Sequence, residues 1–387
     1  MQLLISLYLP HFYRYDVYDS LQISVLFFFM LDKTYWHDFS KKVVLIGKEI
    51  GFNDVGISDI EINQNQDLYS KWIEKNNHGS MSYLKDHQQI KFDPNNILHG
   101  TQSIISTRID YLPLNENLIE LLNKKDQAYI ARYAMGRDYH KTLKQKLKKF
   151  AAAMEKILLK DNITFEYRVI TDSAPSPEIE IAEKAGLGWR GKNTLLLNKK
   201  NGSWFFLGEI YTNLPLIANH IKSKNHCGSC KACIDICPTG AIKEPYHLNA
   251  TKCISYWTIE HKGPIPLEFR QKMGNRIYGC DDCQIICPWN KFAKTSSEID
   301  FFVRHKLNKI SLTDCFNLDR DTFNDYFNGS AIRRIGYEKW ISNVAIALGN
   351  AQYSPQIIFC LKQRENDPSE LIKEHVSWAI SEQVSKN

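Results

Sequence analysis

Apolar residues recur at helical spacing in MLDKTYWHDFSKKVVLIGKEIGF, which starts at Met30, and this predicts an amphipathic helix. Four later stretches are rich in β-branched and aromatic residues and predict strands: DVGISD (54–59), SIISTRIDYL (103–112), EYRVITD (166–172) and SWFFLGEIYTNL (203–214). Among them, HKTLKQKLKKFAAAMEKILLK (140–160) alternates an apolar stripe with lysines, the pattern of a helix with a solvated charged face. The segment ITDSAPSPEIEIAEKAGLGWRGKNTLLL, from Ile170 to Leu197, predicts a strand ending at Asp172. A helix follows, with Ser176 as N-cap and Pro177 in its first position, and it stops at Gly186 before a glycine-rich turn. From about 300 onward the pattern is helical throughout: EKWISNVAIALGN, PQIIFCLKQ and DPSELIKEHVSWAI carry apolar stripes, and Asp367, Pro368 and Glu370 mark a helix start.

Strands alternating with helices over 30–220, then helices alone, define an α+β chain with an α/β N-terminal domain. The paired C-terminal helices fit a short HEAT-like module. A length of 387 residues is enough for two or three domains at roughly 150 residues each. Hydrophobic residues are 43% and charged residues 24%, the balance of a soluble globular protein. The net charge of +6 permits an anionic partner without requiring one. The longest apolar run, Ile23 to Leu31, is shorter than the ~18 residues of a membrane helix. It also lacks a small-residue cleavage site, so it makes a poor signal peptide. Residues 1–29 read as an extension, with Met30 as an alternative start.

Cysteine changes this picture most. Of ten cysteines, eight lie between Cys227 and Cys287. Crowding in one segment of a long chain without an export signal points to metal ligation in a reducing cytoplasm, not to disulfides. Cys227, Cys230, Cys233 and Cys237-Pro238 follow C-x2-C-x2-C-x3-C-P, the spacing of two-cluster ferredoxins. Three thiolates on one loop hold three corners of a cubane, and the fourth reaches a second cluster. Zinc sites instead pair two C-x2-C hooks. Downstream, GCDDCQIICPWN supplies Cys280, Cys283 and Cys287-Pro288, but the first cysteine of the expected triple is replaced by Ile277. Cys253 is the nearby candidate to fill the gap. Cross-ligation then assigns Cys227, Cys230, Cys233 and Cys287 to one 4Fe–4S cluster and Cys237, Cys253, Cys280 and Cys283 to the other. Cys315 and Cys360 fall in apolar helical patterns and read as buried thiols.

Two clusters form a relay with no open iron position, so a pocket elsewhere must receive the electrons. Asp172, at a strand end facing a glycine-rich loop, is placed for acid or base work, or else as a simple turn cap. Neither G-x-G-x-x-G after a strand nor GK[ST] is present. Arg333 and Arg334 in GSAIRRIGYEKW flank a Gly-Ser turn, either as a phosphate contact or as part of a solvated loop.

From Met30 onward the chain resembles the epoxyqueuosine reductases of tRNA queuosine synthesis. The resemblance rests on HGSMSYLKDH (78–87), YAMGRDYHKTL (133–143), the segment around Asp172, both cysteine motifs, CISYWTIE (253–260) and GSAIRRIGYEKWISNVAIALGNA. APSPEIE departs from the APxLE form of that family but leaves Asp172 in place. The resemblance implies a cobalamin between the N-terminal domain and the ferredoxin-like insert, fed by the clusters. It also implies two-electron removal of the epoxide oxygen from a wobble base of tRNA, with Asp172 as proton donor in a mostly apolar pocket that raises its pKa. No D-x-H-x-x-G motif for cobalt ligation is present, and His140 reads as a pocket or structural residue. Tyr139, Lys192 and Asn193 are implied cobalamin or base contacts, and Arg333 and Arg334 are implied tRNA contacts. The organisation that follows is a cobalamin-binding catalytic domain over 30–220, a ferredoxin-like 4Fe–4S domain over 221–295 and a helical tRNA-binding module over 296–387. The protein would act as a cytoplasmic monomer served by an unidentified electron donor. A cobalamin-dependent reductive dehalogenase and a non-catalytic electron-transfer protein are the competing expectations.

Overall fold

The structure, a computed structural model, describes residues 33–114, 116–218 and 223–387. The expectations for residues 1–29 and for the apolar run 23–31 lie outside the described residues. Among those described, no helix is long and apolar enough to cross a membrane.

The first amphipathic stretch forms α1 (Lys33–Glu49), which buries Trp36, Phe39, Val43 and Ile46. There follow β1 (Asp54–Ser58), β2 (Ser103–Asp110), α2 (Tyr139–Leu158), β3 (Tyr167–Ile170), α3 (Glu178–Lys184) and β4 (Phe205–Thr212). The sheet order is β1-β2-β4-β3, and every neighbouring pair is antiparallel. This corrects the α/β expectation for the N-terminal domain. Strand β2, α2 and β3 do make a crossover between strands running the same way, but β4 inserts between them and pairs antiparallel with both.

Helices α1 and α2 cover one face of the sheet, against Val55, Ile57, Ile105, Ile109 and Ile210. Helix α3 lies on the other face, where Ile181 meets Ile104, Ile170 and Tyr211. Its approach is close: a Cβ on Gly56 of β1 would lie 2.0 Å from the Ala185 carbonyl oxygen. Helix α3 begins one residue later than its sequence predicts. Pro177 occupies the N-cap position without a side-chain cap, while the Ser176 hydroxyl turns inward to the Tyr211 hydroxyl at 2.8 Å.

The cysteine segment contains α4 (Ala232–Asp235), α5 (Ile254–Ile259) and α6 (Asp282–Ile285), and the C-terminal region contains α7 (Tyr337–Asn350), α8 (Pro355–Lys362) and α9 (Glu370–Val384). Helix α7 is buried continuously from Lys339 to Gly349, as a helix that is apolar nearly all round must be. The expected start of α9 at Asp367 is corrected. Ser369 takes the N-cap position, and Asp367 accepts from its backbone N–H at 3.0 Å while pairing with Arg364.

The sequence regions do not keep separate cores. Ala128, Ile130, Ala134 and Met135 pack with Ile277 and with Trp340, Ile341 and Val344 of α7. Residues 129–130 also pair in parallel with residues 276–278. From α7, the Asn343 amide donates to the carbonyls of Thr258 and Ile277, at 2.9 and 3.0 Å.

Candidate functional site

The eight crowded cysteines sit on the short helices α4 and α6, in the turns before them (Cys227, Cys230, Cys280), just past their ends (Cys237, Cys287) and at the N-cap of α5 (Cys253). Their electrostatic neighbours fall into two groups. Burial and the neighbouring thiols Cys287, Cys227 and Cys230 push the Cys233 thiol up to about 11, and Cys287 is raised by burial and by Cys227 and Cys230. In the second group, burial and then Cys237 raise Cys253, while Cys253 in turn raises Cys280 and Cys283. Cys233 and Cys283 also interact, so the groups adjoin. Among the described residues, no three His, Cys, Asp or Glu side chains converge as they would on a single metal ion. Ile277, in the place of an expected cysteine, is fully buried in the shared core. The surrounding polar groups are tied down. The Cys280 thiol donates to Asp282 at 2.9 Å, Arg276 holds Asp282 at 2.7 Å, and Asp281 accepts from the Tyr129 hydroxyl and the Arg132 N–H at 2.9 and 2.8 Å.

A cleft opens between the ends of the strands and this segment. Two adjoining cavities, of about 420 and 730 Å³, share Tyr133, Tyr139, Asp172, Leu248, Cys253 and Ser255 in their walls. The smaller one is lined by Cys237, Cys253, Cys280 and Cys283 together with Asn193, Phe205, Phe206 and Leu207. The linings include none of Cys227, Cys230, Cys233 and Cys287. Lys192, expected against a cofactor or base, is corrected: its ammonium donates to the carbonyls of Gly228 and Cys230, at 2.5 and 2.8 Å, and so steadies the first cysteine loop.

Asp172 follows β3 with a φ of +49°, a left-handed conformation costly for a non-glycine residue. More than half of its side chain, 56%, is accessible, yet it lies recessed in the cleft. The Tyr139 hydroxyl donates to its carboxylate, and His140 Nε2 lies 3.2 Å away. Burial alone would raise the Asp172 pKa, but the hydrogen bonds from His140 and Tyr139 outweigh it and the net direction is downward. The expectation of a raised acid at this position is therefore corrected. His140 moves the other way. Burial lowers it, but hydrogen bonds to Asp138 (2.8 Å from Nδ1) and Asp172 favour the imidazolium and raise it.

Sequence reasoning missed Glu178, the first residue of α3. Its Oε1 accepts from the Asp172 backbone N–H, and burial followed by the charge of Asp172 pushes it up to about 8. Asp138 was also missed. It caps α2, bonds His140 and takes a 2.7 Å ion pair from Arg334, contacts that outweigh its burial and hold it near 2. Arg334 is tied to Asp138 at the cleft mouth but remains exposed, as is Arg333, which makes a long bond to Asn328. In the same wall, His261 Nδ1 and Lys339 Nζ are buried without a partner.

A carboxylate with adjacent proton carriers, facing a cleft walled by a cysteine quartet, defines an iron–sulfur oxidoreductase. Residues 226–290 match a family model described as a 4Fe-4S double cluster binding domain. Residues 91–173 match one described as Epoxyqueuosine reductase QueG, DUF1730. The epoxyqueuosine reductase of Pseudomonas aeruginosa is 46% identical over 86% of this chain and 91% of its own length, and that of Escherichia coli 43% identical over 90% of both. The chain belongs to the epoxyqueuosine reductase family. Among solved structures, an epoxyqueuosine reductase bound to an epoxyqueuosine-modified tRNA-Tyr stem loop superposes with a TM-score of 0.77 at 26% identity, covering 89% of this chain and 90% of that one. The Bacillus subtilis enzyme, captured with its catalytic aspartate loop swung out of the active site, gives 0.78 at the same identity and coverage.

Proposed function

We propose that this protein reduces epoxyqueuosine to queuosine at the wobble position of tRNA, drawing electrons through two 4Fe–4S clusters to cobalamin. The observation that carries the reading is the shared wall: Cys237, Cys253, Cys280 and Cys283 line the same cleft as Asp172, so an electron leaving that quartet emerges beside a proton source. Cys227, Cys230, Cys233 and Cys287 hold the outer cluster, which takes electrons from the donor. The other quartet holds the inner one.

The cleft fits a large corrinoid. Its adjoining cavities total more than a small-substrate pocket needs, the inner wall is apolar at Phe205, Phe206 and Leu207, and two buried polar atoms stand unpartnered at Lys339 and His261. These two suit the amide- and phosphate-bearing rim of such a group, with Asn193 and Ser255 as nearer polar contacts. When bound, cobalamin supplies a reducible cobalt centre that acts on the epoxide carbon. The chain's own residues do the rest. Tyr139 and His140 hold Asp172 against the cleft, Asp172 passes a proton to the leaving oxygen, and Arg333, with Arg334 beside it, meets the anticodon-loop backbone so that the unstacked base can enter. The free, unbridged cysteines of this segment support work in a reducing cytoplasm.

The test is an anaerobic assay with reconstituted clusters, cobalamin, a strong reductant and tRNA from cells that accumulate epoxyqueuosine. Nucleoside mass spectrometry should show the cobalamin-dependent loss of one oxygen. Asp172→Asn should then lose about 10²- to 10⁴-fold in rate with cluster absorption unchanged. Full activity in that variant would remove Asp172 from the chemistry, whereas no conversion by the loaded parent would leave an electron carrier as the better reading.

A further inference from the structure

Removing an epoxide oxygen as water breaks two C–O bonds, consumes two electrons and requires two protons. One carboxyl group carries one proton. Resting on the reduction proposed above, with its electrons supplied through the clusters, the geometry points to Glu178 as the second proton donor, acting beside the His140–Asp172 pair.

Three observations support it. Glu178 lines the same cavity as Asp172, the one proposed above to receive the epoxide. Its Oε1 accepts the backbone N–H of Asp172, which fixes the two groups relative to each other across the left-handed turn. Behind it, on the α3 face of the sheet, stands Glu209, fully buried in the middle of β4, opposite Ser106 on one side and Ile170 on the other. Glu209 Oε2 has no partner, and its other oxygen has only a 3.5 Å contact with the Ser106 hydroxyl.

Three carboxyl groups so placed cannot all be ionised. The charged or titratable neighbours that face Glu178 are Asp172, Glu209, Lys91, His140, Tyr139 and Tyr211. Lys91 spends a hydrogen bond on the Ser176 carbonyl, and His140 is engaged by Asp138 and Asp172, with the Arg334 guanidinium also 3.2 Å from its Nε2. The negative charge therefore settles on Asp172, which has the donors, and Glu178 and Glu209 stay protonated. Two transferable protons then flank Asp172 at rest: one on the His140 imidazolium, 3.2 Å from its carboxylate, and one on Glu178. The first reaches the oxygen through Asp172 and the second directly from Glu178. The oxygen leaves as water, and the site ends with two fewer protons for solvent to restore.

The test compares Glu178→Gln with the parent, each loaded with clusters and cobalamin and pre-reduced, in single turnovers on epoxyqueuosine tRNA across pH. Glutamine keeps the acceptor for the Asp172 N–H but has no acidic proton to give. The variant should keep its cluster absorption and circular dichroism, lose about 10²-fold in rate, and lose the step near pH about 8 that Glu178 adds to the alkaline fall expected of the parent, keeping only the part due to His140. Independently of turnover, the infrared spectrum of the parent at neutral pH should contain a protonated-carboxyl C=O band that Glu178→Gln removes and that titrates away on the alkaline side. A variant with the parent's rate and alkaline limb, or an unchanged infrared band, overturns the assignment. A parent that converts no substrate while still showing the infrared band refutes the substrate reading instead.

Discussion

Gly56→Ala is a sharp probe of how the fold sets the site, because its only cost is a contact. Gly56 lies within β1, where alanine is conformationally acceptable, but the added Cβ would stand 2.0 Å from the Ala185 carbonyl oxygen at the end of α3. An ordinary C···O approach is about 3.3 Å, so α3 must withdraw from the sheet by roughly 1.3 Å. Overpacking of this kind costs about 1–3 kcal/mol, which should lower the apparent melting temperature by several degrees. The larger effect is on chemistry. Helix α3 begins at Glu178, whose carboxyl group receives the Asp172 N–H, and misplacement by about 1 Å costs on the order of 10²-fold in rate. Melting followed by circular dichroism, with single-turnover reduction of epoxyqueuosine tRNA, reads both quantities. A variant that melts with the parent and turns over within twofold of it would show that α3 does not rest on β1 as described, or that its placement does not matter to the reaction.

Cys253→Ser should halve the iron bound per chain and abolish turnover while the outer cluster's absorption survives, as iron analysis and visible spectra would show; full iron content would mean that another residue completes the quartet. Arg333→Ala with Arg334→Ala should weaken tRNA binding and reduce the slope of log affinity against log salt by about 1.4, the value for two phosphate contacts on single-stranded nucleic acid. Arg333→Ala alone should carry about half of this without disturbing His140, because only Arg334 is tied to Asp138. Lys339 is lowered by burial to about 8 from 10.5. The unfolded chain therefore holds that proton more tightly between these values, and stability should rise with pH across that window. Lys339→Met should remove this slope and stabilise the cofactor-free protein at pH 7 by up to about 3 kcal/mol; denaturation curves at pH 7 and 10 that move in parallel would refute it.

The cysteine groups were legible because cluster ligation imposes a short local spacing that a single sequence displays. The gap at Ile277 already pointed to Cys253, and the structure puts Cys253 in the same wall as Cys280 and Cys283. The strands and long helices were legible for the same reason, since periodicity is local. What escaped depends on residues brought together from afar. Glu178 in the first turn of a helix looks like an ordinary dipole partner, and only the fold places it against Asp172. Glu209 did leave a signal: a lone carboxylate inside SWFFLGEIYTNL, in a strand otherwise apolar on that face. The direction of the Asp172 pKa could not be read from an apolar-pocket argument, because Tyr139 and His140 arrive from α2 to decide it. Strand order was hidden as well, since alternation of elements does not reveal that β4 inserts inside the β2–β3 crossover.

The common core joining residues 128–135, 276–278 and α7 bears on how the protein is made. While the ribosome is still translating the region after the last cluster cysteine, Ile130 and Met135 have no α7 to pack against, and the second quartet lacks the backing that Asn343 provides through Thr258 and Ile277. Completion of the tertiary structure therefore waits for nearly the whole polypeptide to emerge. A truncation that removed only the helical end should therefore loosen the cysteine-bearing wall of the cleft as well.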